Sequence, residues 1–348
     1  MTTAAGAPPA ASHERETGAA TDELPEKGGR PASPATARAV AFVAAHKDAA
    51  ESIGAALADD LHDPDAFADA LRRGLAALAD PEYLEGQHVV APGLGTTHGV
   101  RWPLLAAVIR GFKAATRRDR PTALLFLADR LFREPQLEAR WFAFSLLERT
   151  LAADPERTWQ LLRRGAREAA DWITVDDLAH PYSAGIGAEP YRWAELEQLI
   201  YSPSRWERRL VASTIATMTH GNRRTGRGQD VVDHALPLLG QLMGDAEPDV
   251  QKALAWAFRS LAQLDPDATS AALRTETERA ASTDDGHRAW VIRDTLAKLD
   301  PAVADELGTR LEGIRRRPGA PSTSAAADMA ARFGGMPDPT DHPEPPLT

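Results

Sequence analysis

The 348-residue sequence predicts an all-α fold of stacked helix pairs. Three observations carry that prediction. Apolar residues recur at i, i+3, i+4 and i+7 along segments of about 12–18 residues, as in Leu104, Leu105, Val108, Ile109 and Phe112. The breaks between segments are short and carry helix-start chemistry: Asp63-Pro64, Asp80-Pro81, Asp154-Pro155, Ser202-Pro203, Glu247-Pro248, Asp265-Pro266 and Asp300-Pro301. An Asp or Ser side chain accepts from free N–H groups at a helix start, and a following Pro has its φ already set. Strand-like alternation is hardly visible.

The segments follow in order. Residues 1–35 and 318–348 hold 12 of the 26 prolines, are rich in Ala, Gly, Ser and Thr, and have few large apolar side chains. Such stretches bury too little surface to offset their ordering entropy, so both are expected to be disordered tails. Between them, 36–317 reads as one helical domain. The acidic first helices (36–80) lead into residues 80–100, where Gly86, Gly93, Gly95 and Gly99 predict a loop. From there on, several helix starts head pairs about 35–45 residues apart, the period of HEAT- or armadillo-like repeats. The expectation is a HEAT-like helical-repeat solenoid, an α-α superhelix with a basic concave groove.

Composition narrows the function. The chain has no cysteine, which excludes disulfides, Cys-ligated metals and a thiol nucleophile. No run reaches the roughly 18 apolar residues of a membrane span. Met1 to Ala35 lacks a basic segment followed by an apolar core, so no secretory signal is expected and the localisation reads as cytoplasmic. The ten histidines form no H-E-x-x-H pair, and Asp59, Asp60, His62, Asp63 and Asp65 surround a Pro-containing turn, so no metal site is expected. Gly93 to Gly99 lacks the Lys-Ser/Thr of a phosphate loop.

Net charge is -10, which at first disfavours a nucleic-acid partner. Its distribution says otherwise. The two tails contribute -2 and -3, and residues 36–100 contribute -6 (ten acids, four bases). Residues 101–146 are +5 (nine bases, four acids), with further clusters at Arg163, Arg164 and Arg167, at Arg205, Arg208 and Arg209, and at Arg223, Arg224 and Arg227. Basic residues from successive repeats can line one groove and meet a phosphate backbone. Solvated outer faces are the plainer reading of any one cluster.

Three segments can carry chemistry. In Asp171-Trp172-Ile173-Thr174-Val175-Asp176-Asp177, Trp172 and Asp176 share a helix face at i, i+4. A ring and a carboxylate side by side both favour a cationic sugar. Read structurally instead, Asp171 caps, Trp172 is core, and Asp176 and Asp177 face water. In Ser204-Arg205-Trp206-Glu207-Arg208-Arg209, arginines at a helix start form a phosphate site, or flank a buried Trp as ordinary surface residues. In Val250-Gln251-Lys252-Ala253-Leu254-Ala255-Trp256-Ala257-Phe258-Arg259, Trp256 and Arg259 lie one turn apart on an amphipathic helix.

Together these read W-x-x-V-D, W-x-R-R and Q-K-A-x-x-W-x-x-R, on separate helices. That order resembles the AlkD-type DNA glycosylases of the DNA alkylation repair enzyme family. Thr97-His98-Gly99-Val100-Arg101-Trp102-Pro103 is similar to that family's G-[VI]-x-x-P loop before a basic helix. The resemblance covers about residues 80–300. It implies a monofunctional hydrolase acting on N-glycosyl bonds, without cofactor or metal. Its substrate would be cationic N3- or N7-alkylated purines in double-stranded DNA, removed without base flipping in base excision repair, by a monomer associated with the nucleoid. Carried over residue by residue, Trp172, Trp256 and Asp176 would surround the lesion's deoxyribose as catalytic residues. Arg209 would contact the DNA backbone, with Arg208, Trp206, Lys252 and Arg259 alongside. Asp177 beside Asp176 and Arg208 beside Arg209 leave two assignments open. Two alternatives stand beside this reading: a resistance glycosylase for bulky natural-product adducts, and a non-catalytic helical-repeat module that binds DNA or protein.

Overall fold

The computed structural model describes residues 33–91, 93–225 and 228–332. Among the described residues sixteen α-helices follow one another: α1 (Pro34–Ala56), α2 (Pro64–Ala77), α3 (Pro81–Val90), α4 (Trp102–Ala115), α5 (Pro121–Leu131), α6 (Leu137–Thr150), α7 (Pro155–Glu168), α8 (Trp172–Ala188), α9 (Trp193–Leu199), α10 (Arg205–Thr225), α11 (Gly228–Leu242), α12 (Pro248–Ala262), α13 (Pro266–Thr283), α14 (Gly286–Thr295), α15 (Pro301–Arg310) and α16 (Ala325–Arg332). Among the described residues there is no strand, only an isolated bridge between Ala79 and Val100. The fold is an all-α helical repeat. No described helix is long and apolar enough to cross a membrane. The chain divides into two compact units, one ending at Phe42 and one beginning at Val43. Everything below concerns the second.

The capping chemistry is as the sequence expects at most starts. Asp63, Asp80, Asp154, Asp265 and Asp300 each accept from a backbone N–H two or three residues on, ahead of a Pro at the first helical position. Ser202-Pro203 is different. It forms a turn, with Ser202 Oγ accepting from Ser204 N at 3.0 Å, and α10 starts only at Arg205. Helices α6, α8, α10, α12 and α14 pack in that order, each against the next. Helices α11, α13 and α15 form a second row beside them, as do α2, α5 and α7 further back. Phe67, Phe112 and Phe142, all fully buried, make a three-ring cluster with centroids 5.3–5.9 Å apart that joins α2, α4 and α6.

Two expectations change. The loop expected over 80–100 begins with helix α3. Asp80 caps it, and Gly86 within it has no neighbour that would need the missing side chain. The remaining loop is pinned by Glu138, the second residue of α6. Its fully buried carboxylate accepts from the N–H groups of His98 (2.9 Å), Gly99 (3.0 Å) and Val100 (3.2 Å). Gly99 has φ +79°, and a Cβ there would lie 2.7 Å from Leu84 Cβ. Only glycine lets three successive N–H groups turn toward one carboxylate here. Arg101 then donates to Asp80 at 2.6 Å, closing the loop on the cap of α3.

The second change is at the C-terminus. Residues 318–332, expected in a tail, pack on the domain. Thr323 N donates to Gly244 O at 2.9 Å, Arg288 Nη2 donates to Thr323 O at 3.0 Å, and Ala326 of α16 is fully buried against α11. Ala, Ser and Thr can dock when a prebuilt surface supplies the hydrogen bonds, which composition does not reveal. Residues 1–32 and 333–348 of the expected tails lie outside the described residues.

Buried acids tie the first helices together and set a pH limit. Glu134 accepts from Arg72 Nε (3.1 Å) and Arg130 Nη1 (2.7 Å). Burial alone would raise its carboxyl, but the two guanidinium groups outweigh burial and hold it below the usual range. Asp80 is lowered in the same way, burial being outweighed by Arg101 and the cap bonds. A lowered folded pKa gives stability that is present above the ordinary carboxylate range and lost as pH falls through the folded value. The urea midpoint is therefore expected to fall as pH drops below about 4. That acid dependence should be shallower in Glu134→Gln, and an identical slope in the two proteins would contradict the assignment.

Candidate nucleic-acid interface and active site

The site is assembled on three neighbouring helices, with α10 packed between α8 and α12. The start of α8 is fixed first. Asp171 accepts from Thr174 N (2.8 Å) and Thr174 Oγ1 (2.7 Å), and that hydroxyl in turn accepts from Trp141 Nε1 of α6 at 3.0 Å. Burial raises the Asp171 carboxyl, and the nearby charge of Asp176 adds to the effect. This cap sets Trp172 at the first position of α8, half-buried, with Asp176 one turn on.

Asp176 and Asp177, adjacent in sequence, are separated by the fold. Asp177 is buried at 7% exposure. The side chain of Asp176 retains 18% and faces α10, where three donors meet it. Arg209 engages it with both arms of its fork, Nε to Oδ1 at 3.0 Å and Nη2 to Oδ2 at 2.7 Å. Ser213, one turn after Arg209, donates Oγ to Oδ1 at 2.8 Å. Oδ1 thus accepts two hydrogen bonds and Oδ2 one, which leaves an acceptor position on Oδ2. The bidentate pair is a charge-assisted contact that fixes the plane of the carboxylate. The Arg209 guanidinium carbon lies 5.9 Å from the Trp172 ring centroid, and its third nitrogen donates to Asp249 O at 2.7 Å, at the start of α12.

Several expected DNA contacts look different in this setting. Arg209 is 5% exposed and its donors are taken by protein, so its guanidinium orients Asp176 and does not present itself to a phosphate. Arg208 donates to Asp245 (2.7 Å) and to the carbonyls of Ser202 (2.7 Å) and Pro203 (3.0 Å). It holds the α10 start to the turn before α12, a structural role in place of the expected DNA contact. Arg259 pairs with Asp294 of α14 and also donates to Asp294 O at 3.1 Å, which likewise occupies it. Long arginines surrounded by carboxylates find ion pairs in the folded chain that spacing along one helix does not reveal.

The other expected residues stay accessible. Lys252 is exposed and Trp256 is half-buried one turn further along α12. Trp206 is half-buried beneath Arg205, whose guanidinium lies 4.6 Å from the ring centroid. Arg205 is 47% exposed, with acids no nearer than Glu247 at 3.6 Å and Asp249 at 3.7 Å. It is better placed than Arg208 or Arg209 to meet a phosphate.

Ser213 is a site residue that the motifs do not show. Its only sequence signal is the i, i+4 spacing from Arg209, which puts both on one face of α10. Gln251 is in the Q-K-A-x-x-W motif, but its role appears only in the fold. Its fully buried amide donates to Asp245 O at 2.6 Å, tying the motif of α12 to the anchor of Arg208. Among the described residues no group of three or more His, Asp or Glu side chains is placed to hold a metal.

A family model described as DNA alkylation repair enzyme matches residues 71–297, which contain all of these helices. No curated protein matches the chain.

Proposed function

The chain belongs to the DNA alkylation repair enzyme family, and on that premise we propose that it is a DNA glycosylase for cationic N3- or N7-alkylated purines in duplex DNA. The observation that carries the proposal is Asp176. A partly exposed carboxylate is clamped by three donors beside Trp172, with one acceptor position left on Oδ2.

An alkylated N3 or N7 purine already carries positive charge and leaves without general-acid help. What remains is to support an oxocarbenium-like deoxyribose and to place a water, the two tasks of a carboxylate in glycoside hydrolysis. As the C1′–N bond breaks, its electron pair neutralises the departing base. Water held by Asp176 Oδ2 attacks C1′ and gives its proton to that carboxylate, which passes it to solvent. Trp172, and Trp256 from the opposite side of α10, flank the cationic sugar by cation–π contact. Arg209 and Ser213 act as positioning residues for Asp176. Arg205 and Lys252 meet the backbone phosphates, which fix register without reading sequence.

The test is chromatography of bases released from duplexes carrying small methylated and bulky purine adducts. Free 7-methylguanine or 3-methyladenine is the expected product. Release of a bulky adduct alone would move the substrate class. Duplex binding with no release from any lesion would reduce the chain to a binding module.

A further inference from the structure

Beyond α15, residues 311–332 stay on the domain. Residues 311–324 form a strap that crosses α14 and reaches α12. Arg293 of α14 donates to the carbonyls of Leu311 (2.5 Å) and Ile314 (2.8 Å). The strap then passes so close to the start of α14 that a Cβ on Gly286 would lie 2.2 Å from Arg315 O. His287 Nε2 meets Ala320 O at 3.2 Å, and His287 Nδ1 meets Gln251 Nε2 at 3.1 Å. Gln251 Oε1 accepts from Arg316 Nη1 at 2.8 Å. This closed circuit fixes the backbone and Arg316 against the motif helix α12.

The circuit leaves cations on the surface. Arg316 lies over Trp290 with 5.0 Å from guanidinium carbon to ring centroid, and it remains exposed. Arg315 is exposed and its one hydrogen bond is a 3.4 Å contact to the neighbouring Ile314 O. Among the described residues neither has a carboxylate within ion-pair distance, whereas Arg317 pairs with Asp284. Burial first, and then the nearby charge of Arg315, lower Arg293.

Their position is also informative. Asp176, Arg209, Lys252 and Trp290 are each the fifth residue of α8, α10, α12 and α14. Asp176 and Arg209 meet directly, Arg209 reaches Asp249 O at the start of α12, and Gln251, next to Lys252, meets both His287 of α14 and Arg316. Arg316, bonded to Gln251 and lying over Trp290, therefore extends the chain of contacts that runs along the helix starts from the proposed catalytic carboxylate.

We propose that Arg315 and Arg316 form a phosphate-contact surface for duplex DNA, extending the interface past the family-matched residues 71–297. It rests on the glycosylase reading for the face that DNA approaches. Two exposed guanidinium groups with no carboxylate partner among the described residues, Arg316 held by Gln251 and Trp290, complement the phosphate backbone and carry no base-reading geometry. The contact is sequence-independent and lies to the α14 side of the lesion.

The experiment is fluorescence anisotropy of an unmodified duplex of two helical turns with the full chain, titrated across salt. The double substitution Arg315→Ala/Arg316→Ala is expected to weaken binding about tenfold and to reduce the slope of log K against log salt by about 2, near 0.9 per lost phosphate contact. Arg315→Glu alone leaves the Gln251–Trp290 anchorage of Arg316 intact, so it separates lost charge from a loosened strap. It should weaken binding at least as much as one lost contact. Wild-type affinity and slope in both variants, with wild type binding duplex, would overturn this surface and leave the glycosylase reading standing. Failure of wild type to bind duplex at any salt would overturn both.

Discussion

Asp176→Asn is expected to lower single-turnover release of an alkylated purine by about 10³-fold or more, with duplex affinity changed only a few-fold. Loss of one preorganised electrostatic contact to a transition state costs about 10²–10³ in rate. Here the same substitution also removes the acceptor for the water's proton. Asparagine keeps the volume but not the geometry. Its amide nitrogen would face a guanidinium or hydroxyl donor in place of an oxygen, so the clamp by Arg209 and Ser213 cannot stay bidentate. Ser213→Ala separates orientation from charge, because it removes one hydrogen bond from Oδ1 and leaves the carboxylate in place. It should cost far less than Asp176→Asn. Undiminished base release by Asp176→Asn would dismiss the mechanism.

Glu138→Ala is expected to cost about 4 kcal/mol of folding stability, although the residue lies outside the proposed chemistry. Hydrogen bonds to a charged group contribute about 1.5–3 kcal/mol, and a stranded buried donor costs about 1–3 kcal/mol. Here the N–H groups of His98, Gly99 and Val100 all lose their one carboxylate, with Gly99 and Val100 buried and His98 half-buried. The loss is a large part of a typical domain stability of about 5–15 kcal/mol. Urea unfolding should show a lower midpoint at unchanged slope. Glu138→Gln keeps one oxygen and should recover part of the loss. A midpoint within the error of wild type for Glu138→Ala would show that the loop is held by something else.

Helix starts were readable along the chain because capping is local. Asp63, Asp80, Asp154, Asp265 and Asp300 satisfy donors two or three residues away, and nothing distant can undo that. The shared face of Trp172 and Asp176 was readable for the same reason, since one turn of helix decides it. Glycine density over 80–100 misled because a glycine signals what backbone is permitted, and α3 uses only ordinary helical geometry there. The Ala-, Ser- and Thr-rich segment after residue 317 misled because its anchors are on another element, at Gly244 and Arg288.

The pairing of charges was decided only by tertiary packing. Forty basic and fifty acidic side chains admit many partners, and neighbours in sequence carry equal signals. Asp176 and Asp177 look alike until α8 turns one toward α10 and buries the other. Arg208 and Arg209 look alike until one meets Asp245 and the other Asp176. These contacts join residues more than thirty apart, across helices whose relative rotation depends on the whole interface between them. The all-helical class and the helix starts follow from interactions within one or two turns. Which carboxylate is clamped between α8 and α10, and which arginines have no carboxylate partner among the described residues, follow from how α8, α10, α12 and the strap pack.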